Sequence, residues 1–227
     1  MEEWRILLYP LGLVSALVFG ARFIVQWLQS ERQHQSIVPA SFWVLSLVGN
    51  SLLALHAFIQ IQFPICAVQA CNGVIAWRNL NLMQPRCSQL SFQTVLFLLG
   101  GVLGLTICLF FLQDYLIMRD GNWFRVPVSP WQAGPAHESS LYWHALGMLS
   151  YILFSSRFWI QWWLAEKAQA SQLPLSFWWI SLVGALLSMM YFSHIQDTVN
   201  LIGPLVGLIP YIRNLMLIRR SKAQKIS

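Results

Sequence analysis

The chain is poor in charge. Eight of its 227 residues are Asp or Glu and 14 are Lys or Arg, 10% together, while 57% are apolar. An ordinary soluble domain carries about 25% charged residues, so this balance argues against a water-soluble fold and leaves no separate basic domain for nucleic acid. Cysteine is scarce too. Cys66, Cys71, Cys87 and Cys108 show no paired C-x-x-C spacing, and three of them lie in apolar stretches, which argues against a disulfide framework or a zinc site. Also missing are a nucleophile with a base and an orienting partner, a Gly-rich phosphate loop and a helical H-x-x-x-H pair. No catalytic residue, metal or cofactor is called for, and enzymatic activity is left open.

What the chain has is long apolar runs. A bilayer span needs about 20 mainly apolar residues, and seven segments qualify, near residues 6–28, 40–60, 63–82, 92–113, 141–164, 175–195 and 199–218. Glu2 and Glu3 stand where a signal peptide would carry a basic region, so the first helix is expected to remain. Of the net charge of +6, Arg219, Arg220, Lys222 and Lys225 crowd the C-terminal tail. Arg32, Arg86 and Lys167 fall on the same side under a seven-helix count, and Arg5, Arg119 and Arg125 fall opposite. The positive-inside rule then predicts an N-terminus outside and a cytoplasmic C-terminus in a multi-pass membrane protein. Trp4, Trp43, Trp123, Trp131 and Trp143 lie near span ends, the places of an interfacial aromatic belt.

A shift of 135 positions reveals a duplication. Phe19, Arg22, Phe23, Gln26, Trp27 and Glu31 fall on Phe154, Arg157, Phe158, Gln161, Trp162 and Glu166. The match continues from Ser36, Pro39, Ser41, Phe42, Trp43, Ser46 and Gly49 to Ser171, Pro174, Ser176, Phe177, Trp178, Ser181 and Gly184. Arg78, Asn79 and Leu80 then meet Arg213, Asn214 and Leu215. The unit is three helices, and a single helix (92–113) between the copies restores the orientation of the second. The expected fold is therefore an all-α membrane protein of seven transmembrane helices, two parallel three-helix repeats joined by one linker helix, 3+1+3. The expected domains are 1–85, 86–140 (linker helix and external loop) and 141–227. Gly100, Gly101 and Gly104 give the linker a small-residue face suited to close helix contact. The Gly- and Pro-rich loop 119–140 is either a lid or a plain surface connection.

Each repeat places an arginine in apolar sequence. Arg22 and Gln26, like Arg157 and Gln161, are four apart and share a helix face that should look away from lipid. Arg78 with Asn79, and Arg213 with Asn214, end the third helix on the same side, where the second helix begins with Ser36 and Ser41, or Ser171 and Ser176. Arginine forks, amides and a helix N-terminus suit a phosphate, so these eight residues form a candidate site for one anionic headgroup per repeat. The alternative is structural: the same amides tie helices together and Glu31 and Glu166 pair with the arginines. His56 aligns with Tyr191, and His144 and His194 have no matching histidine, which suits isolated hydrogen-bonding roles. Asp114 and Asp197 sit at span ends, where solvation explains them.

The elements R-F-x-x-Q-W, P-x-S-F-W-x-x-S-x-x-G and R-N-L, read in "RFIVQWLQSERQHQSIVPASFWVLSLVG" with "WRNLNL" and again in "RFWIQWWLAEKAQASQLPLSFWWISLVG" with "YIRNLMLI", resemble two copies of the lipid A biosynthesis N-terminal domain. That module occurs ahead of lipid-A-disaccharide synthase in some bacteria, and chlamydial forms of the synthase carry such a membrane region. The family is grouped with PQ-loop and SWEET-like membrane proteins, although Pro10 here is followed by Leu and Pro39 by Ala rather than Gln. The resemblance implies a bacterial inner-membrane protein of lipid A biosynthesis that binds or presents a phosphorylated glycolipid at the cytoplasmic leaflet, or anchors the synthase. Its implied partners are membrane lipids, a lipid A precursor and the synthase catalytic domain. A SWEET-like transporter of a small sugar or lipid is the other implied reading. The glycosyltransferase part has no counterpart in these residues, so no such activity is expected of them alone.

Overall fold

The computed structural model describes residues 3–119, 121–124, 140–194 and 198–224. Most of the loop 119–140, with Arg125 and Trp131, lies outside the described residues, as do Asp197, Lys225 and the side chains of Trp4, His144 and Lys222. The described chain is helical: α1 (Glu3–Leu7), α2 (Pro10–Gln33), α3 (Ala40–Ile59), α4 (Phe63–Leu82), α5 (Phe92–Gln113), α6 (Leu141–Ala168), α7 (Leu175–His194) and α8 (Thr198–Gln224). No strand is present among the described residues, only an isolated bridge between Gln62 and Phe124.

Among the described residues seven long helices stand where the apolar runs predict them. Five segments among the described residues are long and apolar enough to cross a bilayer: Arg5–Gln33, Ala40–Ile59, Phe92–Met118, Leu175–His194 and Leu201–Arg220. Helices α4 and α6 are not among them. Their polar load is the reason, since α4 holds Asn72, Arg78, Asn79 and Asn81 and α6 holds Arg157, Gln161, Glu166 and Lys167.

Local chemistry sets the helix ends, and it repeats. His34 and Gln169, aligned after α2 and α6, both take the left-handed conformation (φ 51° and 50°). Behind them Gln35 N–H donates to Ser30 C=O and Ala170 N–H to Ala165 C=O, each at 3.2 Å, satisfying last-turn carbonyls as a helix stop requires. Pro39 and Pro174 precede α3 and α7, and their carbonyls accept from Phe42 and Phe177 N–H at 3.0 Å. A proline tolerates this place because its missing N–H has no helical partner. Ser91 caps α5, its hydroxyl accepting from Thr94 N–H at 3.2 Å.

By compactness the chain divides into Met1–Val18 with Val44–Gly134, and Phe19–Trp43 with Pro135–Ser227. The division cuts through α2 and α3 rather than between the sequence repeats.

In the first unit, Ser15 Oγ donates to Gly49 C=O at 3.1 Å, and the His56 ring lies against Gly12, where an added Cβ would meet Cε1 at 3.0 Å. Gln60 Nε2 donates to Arg5 C=O at 2.8 Å, and the Arg5 guanidinium donates to Ile59 C=O. Phe63, Phe110 and Trp123 form an aromatic cluster there, and Phe63 N–H donates to Trp123 C=O at 3.0 Å.

The second unit uses the same device at the aligned place, with the Tyr191 ring against Gly147, where an added Cβ would come within 2.7 Å of Cζ. Ser150 and Ser188 join α6 to α7 through their hydroxyls at 2.8 Å, and Gly184 makes room for Phe154.

Two sequence expectations need correction. Trp43 is fully buried, not part of an interfacial belt, and its indole N–H donates to Ser171 Oγ at 2.7 Å. Gly100, Gly101 and Gly104 have nothing within 4 Å of an added Cβ, so their face of α5 meets no other helix among the described residues.

Candidate functional site

Helices α2 and α6 project Arg22 and Arg157 into the interior of the second unit, 3% and 6% exposed. The reason they tolerate it is aromatic. The Arg22 guanidinium carbon lies 4.5, 4.7 and 5.4 Å from the ring centroids of Phe19, Phe23 and Phe42. Arg157 has the aligned set, Phe154, Phe158 and Phe177, at 4.2, 4.9 and 5.7 Å. Each also reaches the other repeat, Arg22 over Phe158 at 5.1 Å and Arg157 over Phe23 at 5.9 Å. A cation over a ring gains about 0.5–1 kcal/mol at exposed sites and 2 or more when desolvated. Several such contacts offset much of the burial cost.

Arg157 further donates through Nη1 to Tyr211 Oη at 3.1 Å and Ser181 Oγ at 3.3 Å, while its Nε has no hydrogen-bond partner. Ser41 Oγ and Ser176 Oγ, aligned at the starts of α3 and α7, are buried and without a hydrogen-bond partner as well. The unit therefore holds two cations that share the rings of Phe23 and Phe158, with unsatisfied donors besides. Such an interior favours an anion with several acceptor oxygens.

One turn on, Gln26 forms a reciprocal amide pair with Asn214: Gln26 Nε2 donates to Asn214 Oδ1 at 2.9 Å and Asn214 Nδ2 to Gln26 Oε1 at 3.0 Å. Both residues are fully buried. Ser36 Oγ adds a bond to Asn214 Oδ1 at 2.6 Å. The aligned glutamines do matching work at the following turn, Gln26 Nε2 donating to Ile37 C=O at 3.0 Å and Gln161 Nε2 to Gln172 C=O at 2.9 Å. At the half-exposed edge Arg213 forks onto Glu31, Nε to Oε2 at 2.7 Å and Nη2 to Oε1. Glu166, aligned with Glu31, is buried and accepts from Trp162 Nε1 at 2.9 Å.

Arg78 and Asn79 belong to the first unit. Arg78 donates through Nη1 to Asn81 Oδ1 at 2.6 Å and Leu90 C=O at 2.8 Å, bracing the turn between α4 and α5. Asn79 Nδ2 donates to Ile75 C=O at 2.9 Å, as Asn214 Nδ2 does to Pro210 C=O at 2.8 Å.

Of the eight expected residues, six lie in the second unit, and there partners are exchanged: Gln26 and Glu31 from the first repeat engage Asn214 and Arg213 from the second. The physical reason is that α2 and α8 meet through these side chains, so amides and charges spaced along one helix find their complements on another repeat's helix. What sequence reasoning overlooked was the aromatic surroundings of Arg22 and Arg157. The signal was on the page, since Phe19, Phe23 and Phe42 recur as Phe154, Phe158 and Phe177. Among the described residues no group of three His, Cys, Asp or Glu could hold a metal.

Comparison with known proteins bears on the repeats directly. The family model of the Lipid A Biosynthesis N-terminal domain matches residues 11–81 and again 146–216. Lipid-A-disaccharide synthase of Chlamydia felis is 40% identical over 216 residues, 93% of this chain and 33% of that protein. That of Chlamydia pneumoniae is 37% identical over 211 residues, again 93% and 33%. For Chlamydia trachomatis serovar D the figures are 35% over 224 residues, 96% and 35%. The chain thus spans about a third of the length of the curated relatives it matches. No solved structure matches it.

Proposed function

The chain belongs to the Lipid A Biosynthesis N-terminal domain family, with two copies of the domain, and from that premise we propose that it serves lipid A biosynthesis by holding a phosphorylated glycolipid at the cytoplasmic leaflet of the bacterial inner membrane. The carrying observation is the pair of buried guanidinium groups, Arg22 and Arg157, sharing the rings of Phe23 and Phe158 beside the unsatisfied Arg157 Nε. Two like charges in a low-dielectric interior repel, and a phosphate accepting from both forks replaces that repulsion by attraction. Ser41 and Ser176 supply hydroxyls for the sugar or phosphate oxygens. Gln26, Gln161, Arg213 and Asn214 frame the place within the second unit, the amides holding the helices and Arg213 lying at its half-exposed edge, while Arg78 and Asn79 brace the first unit. The architecture that goes with this reading is seven membrane spans in the 3+1+3 order, the C-terminus cytoplasmic.

One observation favours a second reading, an anchor for the synthase. The aligned 93% of the chain matches 33% of the Chlamydia felis and Chlamydia pneumoniae synthases, so in those proteins a like segment is joined to two thirds of further chain. Presenting the lipid and holding the enzyme are compatible, since both place substrate and catalyst at one leaflet.

Native mass spectrometry of the protein in mild detergent tests the first reading, comparing wild type with Arg22→Met plus Arg157→Met, which keep the stems against the rings. A phosphorylated glycolipid retained by wild type and lost from a folded double variant supports the site. Equal retention by both forms refutes it and turns attention to the anchor.

A further inference from the structure

The second repeat carries at its far end a surface that the first lacks. Along α6, Trp159, Trp163 and Lys167 recur every four residues on one face, with Trp159 37% and Trp163 50% exposed. Lys167 Nζ lies 5.0 Å from the Trp163 ring centroid. Across the short turn into α7, Trp179 is 40% exposed, and the Arg219 guanidinium from the last turns of α8 lies 5.4 Å from its ring. That contact brings the end of α8 beside the start of α7, so both cation and indole pairs sit at the same end of one unit.

The aligned positions of the first repeat read Ile24, Leu28, Arg32, Val44 and Gln84. Ile24, Leu28 and Val44 are exposed aliphatic side chains with no polar tip. Acyl chains satisfy such a surface. The second repeat has put three indoles and an added cation, Arg219, where acyl chains would suffice.

An exposed indole is stable at headgroup depth, where its ring meets apolar chains and its N–H meets water and carbonyls. A cation held over it keeps its outer side for an anion. Among the described residues neither Lys167 nor Arg219 is paired with a carboxylate. Arg220 is exposed next to Arg219, and Lys222 and Lys225 follow in the sequence.

We propose that Trp163 with Lys167 and Trp179 with Arg219 form a docking surface on the second repeat for anionic phospholipid of the leaflet that meets this end. The phosphate lies against the cation while the indole seats at the glycerol level. This surface is independent of Arg22 and Arg157, which lie in the interior and remain in every variant below.

Spin-labelled phosphatidylglycerol and phosphatidylcholine, each introduced into phosphatidylcholine vesicles holding the full chain, report which lipid the protein immobilises. Wild type is expected to favour phosphatidylglycerol at low salt, by about fivefold for each cation engaged. Lys167→Gln with Arg219→Gln should lower the ratio by about fivefold or more, leaving only what Arg220 and the basic tail retain. Trp163→Leu with Trp179→Leu, which leaves the charges, should reduce it at least twofold. Absence of the preference in wild type overturns the proposal, as does a preference unchanged in the charge variant. Loss in the charge variant with none in the ring variant overturns the paired cation and indole arrangement. Thermal unfolding of each variant shows that it is folded, and if one set fails to fold the other still decides.

Discussion

Replacing Gln26 by leucine separates the role of the buried amides from that of the arginines. The side chain donates to three acceptors, Asn214 Oδ1, Ser30 Oγ and Ile37 C=O, with two amide hydrogens, and accepts from Asn214 Nδ2. After Gln26→Leu, Asn214 keeps one partner on each side, Pro210 C=O and Ser36 Oγ, and Ile37 C=O keeps the Ser30 hydroxyl at 3.3 Å. No group is left wholly orphaned, so the full desolvation penalty of a buried polar atom does not apply. The loss is the reciprocal pair itself. Hydrogen bonds between membrane helices average about 0.6 kcal/mol, with a maximum near 1.7, so two of them come to about 1–3 kcal/mol. Reversible unfolding in bicelles, for Gln26→Leu, Asn214→Leu and the double variant, measures the coupling. A coupling of about 1 kcal/mol or more is expected. Additivity within about 0.5 kcal/mol, the level seen for independent sites, refutes the claim that this pair ties α2 to α8.

Further consequences follow from individual contacts. Gly147→Ala places a methyl 2.7 Å from Tyr191 Cζ; overpacking of about 1–3 kcal/mol exceeds the roughly 1 kcal/mol gained in helix propensity, so unfolding should show a net loss that Tyr191→Ala removes. Alanine at Gly100, Gly101 and Gly104 together should leave stability equal or higher, because nothing lies within 4 Å; a clear loss would mean that another helix covers this face. Trp43→Phe removes the donor to Ser171 and should cost about 1 kcal/mol, whereas Trp178→Phe, whose indole N–H has no partner, should cost less.

Much of this was legible in the chain. Apolar runs of bilayer length mark the helices because backbone groups in hydrocarbon must bond within their own segment. The offset of 135 marks the duplication, and Pro39 and Pro174 mark helix starts. The helix stops at His34 and Gln169 were harder to see, since neither is the glycine that the left-handed conformation favours. The two polar helices, α4 and α6, were counted among the apolar runs, although their own hydropathy falls short.

Partner choice was different. Repeats that share these residues offer each glutamine an asparagine on either copy, each glutamate an arginine on either copy and each tryptophan a serine on either copy, and spacing along one chain does not distinguish them. Packing does. It joins Gln26 to Asn214 and Glu31 to Arg213, while Trp43 reaches Ser171 and the equivalent Ser36 bonds Asn214 instead. It also decides that Arg22 and Arg157 lie among rings rather than at a wet headgroup surface, because the phenylalanines that accompany them reach both cations only once two repeats meet. A sequence by itself determines which groups need partners, since that is the chemistry of each side chain. Which copy supplies the partner depends on distances between segments more than 100 residues apart, and those exist only when the helices have packed.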